Sequence, residues 1–458
     1  MPAHRHSGAL LVGGLLASML VLVPRLAFGS GGSSPILGNE AALTGGAVVA
    51  AGHGGSMAWY NPAGLATNRF GRVEASAQLF GLRARRISRG LVTDLPDGAR
   101  SSPIRSRDLL VVPNSTVWIF RAGPRASVAI SMFVPSFDEL DIDTFAHRKD
   151  AVIEYAQQVK VLYQQRRYDI GPSFGIEITP RLRLGGGAFV VYDRVAQSSR
   201  AWAWGNDDSA QLERFVQTGL FESVRSWGAE LVAGVQWQPT DSLHLGFVLR
   251  SPRLWIVQRS TRSTVASSGG HNPERGDYGE ITFSPTVDTG LTRRNDPITA
   301  TAGIAWSWKG GVVALEADAS PARKGDLDDG QRATWAARLG VRGKVARRLA
   351  LGAGVYTQRS PLVVADDFLD FDVDTYGFTM GAELRRPVRL GKRERARRIV
   401  FTSTIAVRYA LSVGKAGRMQ IDLTDLADDT GDVLVSSGAP VPLRVHDLAL
   451  QLGTGLEF

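Results

Sequence analysis

The chain has 458 residues, with 53 Lys and Arg against 44 Asp and Glu, 51 glycines and no cysteine. The missing cysteine excludes a disulfide framework, thiolate zinc sites and a cysteine nucleophile, and seven histidines spread from His4 to His446 form no ligand cluster. The charge of +9 comes from basic residues scattered along the chain, which argues against a nucleic-acid binder, while 44% hydrophobic residues exclude a disordered chain.

Residues 1–29 read as a secretory signal peptide. Arg5 precedes an almost wholly apolar run from Gly8 to Val23, and Ala27-Phe28-Gly29 places small residues at the −3 and −1 positions. Arg25 inside the late apolar region is untidy for a signal peptide, so a lipid-exposed anchor helix is the competing reading. No later run reaches the ~18 apolar residues of a spanning helix.

Residues 30–70 are rich in Gly and Ala and show no alternation. They contain Gly45-Gly46, Gly52-His53-Gly54-Gly55 and Trp59-Tyr60-Asn61-Pro62-Ala63-Gly64. A phosphate loop is excluded, since no Lys-Ser/Thr follows the glycines and no strand precedes them. Small residues that pack backbone closely, with an Asn-Pro turn, predict a compact plug.

From residue 71 onward, runs alternate apolar and polar residues with period two, the signature of strands with one apolar and one polar face. Val73, Ala75, Ala77 and Leu79 alternate with Glu74, Ser76, Gln78 and Phe80. Leu448, Leu450, Leu452, Leu456 and Phe458 share the apolar face of the last run. Short turns at 122–125, 180–181, 239–242, 309–311 and 344–347, with a basic one at 391–398, alternate with long segments at 84–107, 136–158, 204–224, 261–296, 321–330, 360–371 and 414–443. This divides the chain into about fourteen strands: 72–83, 110–121, 126–135, 160–178, 181–203, 225–238, 243–260, 298–308, 311–320, 331–343, 347–359, 372–386, 398–413 and 444–458.

The arrangement predicts an all-β fold, a transmembrane antiparallel β-barrel of about 14 strands over 71–458, plugged by residues 30–70. A soluble β-sandwich also alternates. Against it stand the ionisable groups on the polar face (Glu74, Arg167, Asp169, Arg183, Glu230, Arg250, Glu316, Arg338, Glu383, Arg408), which suit a wet lumen. Tyr192, Trp237, Trp306, Tyr376 and Tyr409 sit near strand ends on the apolar face, as an interfacial girdle does.

Four lumen arginines, Arg167, Arg250, Arg338 and Arg408, are candidates for holding a ligand carboxylate in a bidentate fork. The alternative is that they pair with Asp169, Glu230 or Glu383 to hold the wall. Leu212, Phe215, Val216, Leu220 and Phe221 fall at helical spacing in the 204–224 loop and predict an amphipathic helix that catches hydrophobes or caps the mouth. Pro135 removes a ladder bond from the third strand, and ending the strand there is preferred over bending it. Asp326, Asp328, Asp329 and Gly330 hint at calcium, but Ala337 stands where an EF-hand needs Glu. The acidic run Asp366, Asp367, Asp370, Asp372 and Asp374 reads as a solvated loop. No Gly-x-Ser-x-Gly elbow is present, so no enzyme, cofactor or metal is implied.

The runs Ala41-Ala42-Leu43-Thr44-Gly45-Gly46 and Ala58-Trp59-Tyr60-Asn61-Pro62-Ala63-Gly64-Leu65-Ala66 resemble the N-terminal hatch of the FadL-type long-chain fatty-acid transporters, a family that includes aromatic-hydrocarbon importers. Ile170–Gly175 with Arg181–Gly187, Gln236–Asp241 with Leu249–Pro252, and Thr334-Trp335 through Ser360-Pro361 resemble its hairpins. The resemblance covers about 40–361 and is loose beyond 362. It implies a monomeric fourteen-stranded barrel of the bacterial outer membrane, in contact with lipid and lipopolysaccharide. Trp59, Tyr60, Asn61, Pro62, Ala63 and Gly64 belong to its hatch, and hydrophobic ligands leave sideways at a kinked third strand. The expected function is passive transport of hydrophobic small molecules, long-chain fatty acids first. A scaffold or secretion-associated barrel without transport is the alternative, and a general porin the third reading.

Overall fold

The computed structural model describes residues 36–95, 98–149, 153–207, 211–273, 276–290, 297–323, 331–361, 371–390, 397–422 and 435–458. The predicted signal peptide, the start of the plug, Asp326 to Gly330, Asp366, Asp367, Asp370 and the basic turn Lys392-Arg393-Glu394-Arg395 lie outside these residues.

Two short helices, α1 (Asn39–Leu43) and α2 (Met57–Tyr60), and a 3-10 helix (Pro62–Thr67) precede the strands. The strands are β1 (Arg72–Leu95), β2 (Gly98–Arg121), β3 (Ala126–Lys149), β4 (Ile153–Thr179), β5 (Leu182–Asp207), β6 (Leu212–Trp237), β7 (Leu243–Arg250), β8 (Leu254–Asn272), β9 (Gly276–Gly290), β10 (Thr299–Trp308), β11 (Gly311–Ser320), β12 (Thr334–Ala346), β13 (Leu349–Gln358), β14 (Phe371–Leu390), β15 (Arg397–Asp422) and β16 (Val435–Glu457). β6 pairs with β7 along its lower part and with β8 along its upper part, so β7 and β8 are one strand interrupted at Ser251-Pro252-Arg253. β9 and β10, which pair with β8 and β7, form the next interrupted strand. Counted this way the wall has fourteen antiparallel strands and closes where β16 pairs with β1.

The predicted faces hold. Glu74, Asp169, Glu230, Glu316, Glu383 and Arg408 are buried inside the barrel, while Phe174, Val190, Leu231, Phe247, Val355, Ile405 and Leu452 stand exposed on its outside. Lower on the outside lie Trp237, Trp306 and Trp308, and higher up the ladder Tyr168–Tyr192–Trp227, with ring centroids 6.3 and 4.6 Å apart. Trp227 and Trp237 are ten residues apart on β6. At about 3.3 Å per residue and a tilt of about 40°, that spacing spans ~25 Å, the height of a hydrocarbon core.

One face was misread locally. A bulge between Gln78 and Phe80 turns Phe80 outward, 59% exposed, and brings Arg83 and Arg85 inside.

The long segments differ from expectation. β1 to β6 are 24 to 27 residues each, about twice the height of the belt, so residues 84–95, 98–107, 136–149 and 153–158 continue their strands rather than forming loops. The described parts of 204–224, 261–296 and 414–443 are likewise strand. Above the belt the outside faces water, so outward positions become polar and the hydropathy signal fades although period two persists. Ile104, Ser106 and Asp108 still point inward and Arg105 and Arg107 outward.

These extensions enclose a second apolar core. Ile87, Leu91, Ile104, Leu140, Ile142, Val159, Val161, Met419 and Leu443 pack together above the membrane level. A second irregularity in β1, with Arg89 at φ 55°, carries Leu91–Asp94 across to run parallel with Met419–Asp422 of β15 over the mouth.

Val159 is fully buried in this core. Val159→Asp is expected to cost roughly 3 kcal/mol or more by burying an unpaired carboxylate. Limited trypsin digestion of the folded variant should cut the upper hairpins and leave the membrane-embedded wall intact. Wild-type-like resistance would show that the extensions are not held by this core.

Candidate functional site: the plug and a window in the wall

Residues 36–71 have little regular structure, so most of their backbone groups have no partner of their own, and a buried group without one is costly. The barrel wall and the plug's own side chains supply the partners. Glu316 accepts the N–H groups of Val48 and Val49 at 3.0 Å each, and Glu74 accepts that of Gly55 at 2.8 Å. Gln236 donates to the Val49 and Gly52 carbonyls, Asn114 to Ile36, Ser173 to Ala58 and Gln451 to Gly38. Glu40 of the plug accepts the N–H groups of His53 and Gly54 at 2.9 Å each and meets Arg342 at 3.0 Å.

The six predicted hatch residues each make a specific contact. Asn61, fully buried, donates to the Val49 and Val235 carbonyls at 2.8 and 3.0 Å and accepts from Ala63 N, capping the 3-10 helix that Pro62 opens. Ala63 and Gly64 are buried in that helix, and a Cβ on Gly64 would stand 2.7 Å from the Gly52 carbonyl. The Tyr60 hydroxyl accepts from Leu37 N, and burial pushes its pKa up to about 12. The Trp59 ring lies 5.4 Å from Phe133 and 5.7 Å from Phe189, with the Arg250 guanidinium 3.9 Å above it.

Docking this close requires bare wall. A Cβ on Gly175 would stand 2.5 Å from the Pro62 carbonyl, one on Gly352 would stand 2.5 Å from that of Leu43, and one on Gly234 would collide with the Asn61 side chain. These glycines were not among the predicted site residues. Their signal was available, because glycine inside a strand marks a close backbone approach.

The four candidate arginines all face the lumen, and each is held by carboxylates. Arg167 meets Asp169 at 2.5 Å and Glu230 at 3.3 Å, Arg250 pairs with Glu230 and donates to the Trp59 carbonyl, Arg338 meets Glu316 and Asp318 at 2.9 and 2.5 Å, and Arg408 meets Asp447 at 3.2 Å. Above them lies a cluster that the sequence did not single out. Arg83 joins Asp138 at 2.5 Å and Asp447 at 2.7 Å, and Arg85 joins Asp108 at 2.9 Å as well as Asp138.

The expected capture helix is absent. Leu212, Phe215, Val216, Leu220 and Phe221 all lie on strand β6, where alternation sends Phe215 and Phe221 to one face and Leu220 to the other. The stretch is β because its strand pairs along its whole length with β5, which outweighs a five-residue helical spacing.

Pro135 neither ends β3 nor leaves it regular. The strand runs on to Lys149, with an irregularity between Phe133 and Ser136 against β4. The β2–β3 ladder stops at Ser115↔Phe133. Higher up, side chains tie β3 back: Asp108 of β2 accepts from Asp141 N, and Arg85 of β1, which also holds Asp108, donates to the Glu139 carbonyl. Between these limits the wall has a window without ladder bonds, filled by Leu110, Val112 and Val134 with Phe137 and Tyr168 beside them. Phe133, the last paired residue below the window, belongs to the Trp59–Phe133–Phe189 aromatic group on the plug, so an apolar patch inside lies next to an apolar opening outside.

The chain has the FadL-type barrel fold. A Pseudomonas aeruginosa FadL homologue superposes with a TM-score of 0.57 over 93% of this chain and 99% of its own, at 11% identity. The Pseudomonas putida toluene transporter TodX gives 0.54 over 92% and 97% at 14%, and the Ralstonia pickettii toluene transporter TbuX gives 0.53 over 95% and 100% at 11%. No protein-family model matches the sequence, and no curated protein sequence does. At such identities what is shared is the FadL-type architecture of an outer-membrane barrel.

Two predictions follow from how this FadL-type barrel holds its plug. Asn61→Ala strands three backbone groups, a loss of about 3 kcal/mol at about 1 kcal/mol per bond, which raises the undocked plug population roughly a hundredfold. Planar-bilayer conductance should rise accordingly, and an unchanged closed state would contradict the docking described. For Glu40, burial pushes the carboxyl up, but the charge and hydrogen bond of His53 and the charge of Arg342 outweigh it and hold the pKa well below the ordinary 4.5. A depressed carboxyl contributes stability that is present above the unfolded value and lost as pH falls through the folded one. Wild-type barrels should therefore stay closed from neutral pH down past 4.5 and open only below it, whereas Glu40→Gln should leak already at pH 7. Equal conductance of the two at pH 7 would remove Glu40 from plug docking.

Proposed function

We propose that this chain is a passive outer-membrane channel for uncharged hydrophobic small molecules, which leave the plugged lumen sideways through the window between β2 and β3. The observation that carries the reading is the interrupted β2–β3 ladder, with aliphatic side chains filling the opening and the Trp59–Phe133–Phe189 group behind it. An apolar solute in a polar lumen gains by moving from the aromatic group to the bilayer, and no bulk water needs to be crossed.

The ligand class follows from the arginines. A fatty-acid carboxylate needs a guanidinium it can claim, and Arg167, Arg250, Arg338 and Arg408 each already hold a protein carboxylate. Displacing one costs a buried ion pair. Aromatic hydrocarbons, the class to which the toluene carried by TodX and TbuX belongs, make no such demand. They stand ahead of long-chain fatty acids, which remain the second reading.

The absence of native cysteine makes the window directly testable. Cells lacking their own importers would carry the protein or its Val112→Cys, Val134→Cys variant, and uptake of labelled toluene and labelled oleate would be compared. Oxidation should lower toluene uptake about tenfold by pinning the opening shut, with recovery on reduction, a loss equivalent to about 1.4 kcal/mol in barrier. Oleate uptake that exceeds toluene uptake would reverse the ligand order. Uptake indifferent to the cross-link would sink lateral exit, and no uptake of either at matched levels would favour a scaffold role.

A further inference from the structure

The basic residues that look scattered in the sequence are gathered by the fold. On the outer face of the wall, Arg166 of β4 stands directly opposite Arg194 of β5, Arg194 opposite Arg225 of β6, and Arg225 opposite Arg259 of β8. All four are exposed, and among the described residues none has a carboxylate partner. Arg166 lies 5.2 Å over the Phe137 ring, which leaves the edge of its guanidinium free to donate. The nearest acid on the row above, Glu139, accepts a hydrogen bond from Gln164 at 3.1 Å.

Like charges directly opposite on neighbouring strands are destabilising, so an unrelieved ladder of four asks for an anion. Its height says which kind. Two residues below each of Arg166, Arg194 and Arg225 stand Tyr168, Tyr192 and Trp227, the upper aromatic girdle, and below those Ile170 and Val190 on the apolar belt. Above it come Gln164, Ala196, Ser223 and Thr261. The row therefore lies at headgroup level, where aromatic rings give way to water. A shorter row of the same kind, Arg105–Arg86–Arg444, crosses β2, β1 and β16 on the far side of the window.

We propose that the Arg166–Arg194–Arg225–Arg259 row is a docking site for the phosphorylated disaccharide headgroup of an outer-leaflet lipopolysaccharide, whose acyl chains lie on the belt beneath. Guanidinium forks match phosphate oxygens bidentately. With strands about 4.8 Å apart, the four arginines span ~14 Å, wide enough for two phosphates carried on one disaccharide. None of the four arginines belongs to the plug or to the Leu110–Val112–Val134 filling of the window, although Arg166 stacks on Phe137 at its edge.

The test is native mass spectrometry of the full-length protein released from detergent, titrated with bis-phosphorylated lipid A, with the same glycolipid after phosphate removal, and with phosphatidylglycerol. The variant R166Q/R194Q/R225Q/R259Q is compared with R125Q/R181Q/R347Q/R348Q, which removes the same charge at the opposite, short-turn end. Heat-modifiable gel mobility confirms that each barrel is folded. Wild type and the short-turn variant should bind lipid A alike, and the row variant at least about tenfold more weakly, with the wild-type binding falling as salt rises. Wild-type affinity in the row variant would overturn the proposal. Equal loss in the short-turn variant would reduce the effect to net charge, and equal binding of the dephosphorylated glycolipid or of phosphatidylglycerol would refute recognition of a phosphorylated disaccharide.

Discussion

The rest of the structure depends on one requirement: irregular backbone enclosed by a barrel must find hydrogen-bond partners in the wall around it. That requirement explains features that look unrelated in the sequence. The inward acids and amides are acceptors and donors for plug peptide groups, as Glu316 is for Val48 and Val49 and Gln236 for Val49 and Gly52. The inward glycines are the clearances that let the plug come close enough to use them, as Gly234 does for Asn61. The inward acids, amides and arginines described above thus fall into two kinds, those that bond the plug and those that bond one another.

The same logic separates the strong wall from its weak place. Where ladders run unbroken, β4 with β5 or β5 with β6, the wall is continuous from the short turns to beyond the belt. Between β2 and β3 the ladder ends at Phe133, since the chain beyond it carries Val134-Pro135, and Pro135 has no N–H to give. Because β3 continues and stays paired with β4, the loss of pairing opens one seam without unravelling the sheet. Arg85, Asp108 and Asp141 hold that seam from above through side chains, which bounds the opening and keeps it at the height of Phe133 and Trp59.

Much of this was legible in the residues. The strand cores, the short turns among the described residues and the inward charges were placed correctly because each has a local signature, period two or turn residues. The strand ends were not. Around Arg105 to Asp108 both faces carry polar residues, since the interior there holds ion pairs and the exterior meets water, and alternation without hydropathy contrast reads as loop. The 212–221 stretch failed for the opposite reason, as five apolar residues fit a helical spacing by chance while 26 residues of β5 pairing fixed them as strand. Pro135 was read by its usual effect on an isolated strand, and only the neighbour on the far side, β4, decided that the strand survives.

The arginines show most plainly why composition alone misleads. A net charge of +9 suggests an acidic partner, and the scatter of basic residues in sequence argues against one. Folding sorts those residues by parity instead. On β4, Arg167 points inward to Asp169 and Glu230, while its neighbour Arg166 points outward with no carboxylate among the described residues. One side chain is neutralised by the wall and the other is left to the surroundings, although they are adjacent in the chain. Residues about 30 apart in the chain, Arg166, Arg194, Arg225 and Arg259, are brought side by side by the ladder, so a stripe invisible along the sequence becomes continuous across these strands. Part of the positive charge of this chain is therefore gathered on its outer surface at one height, while Arg125, Arg181, Arg347 and Arg348 carry more of it at the short-turn end.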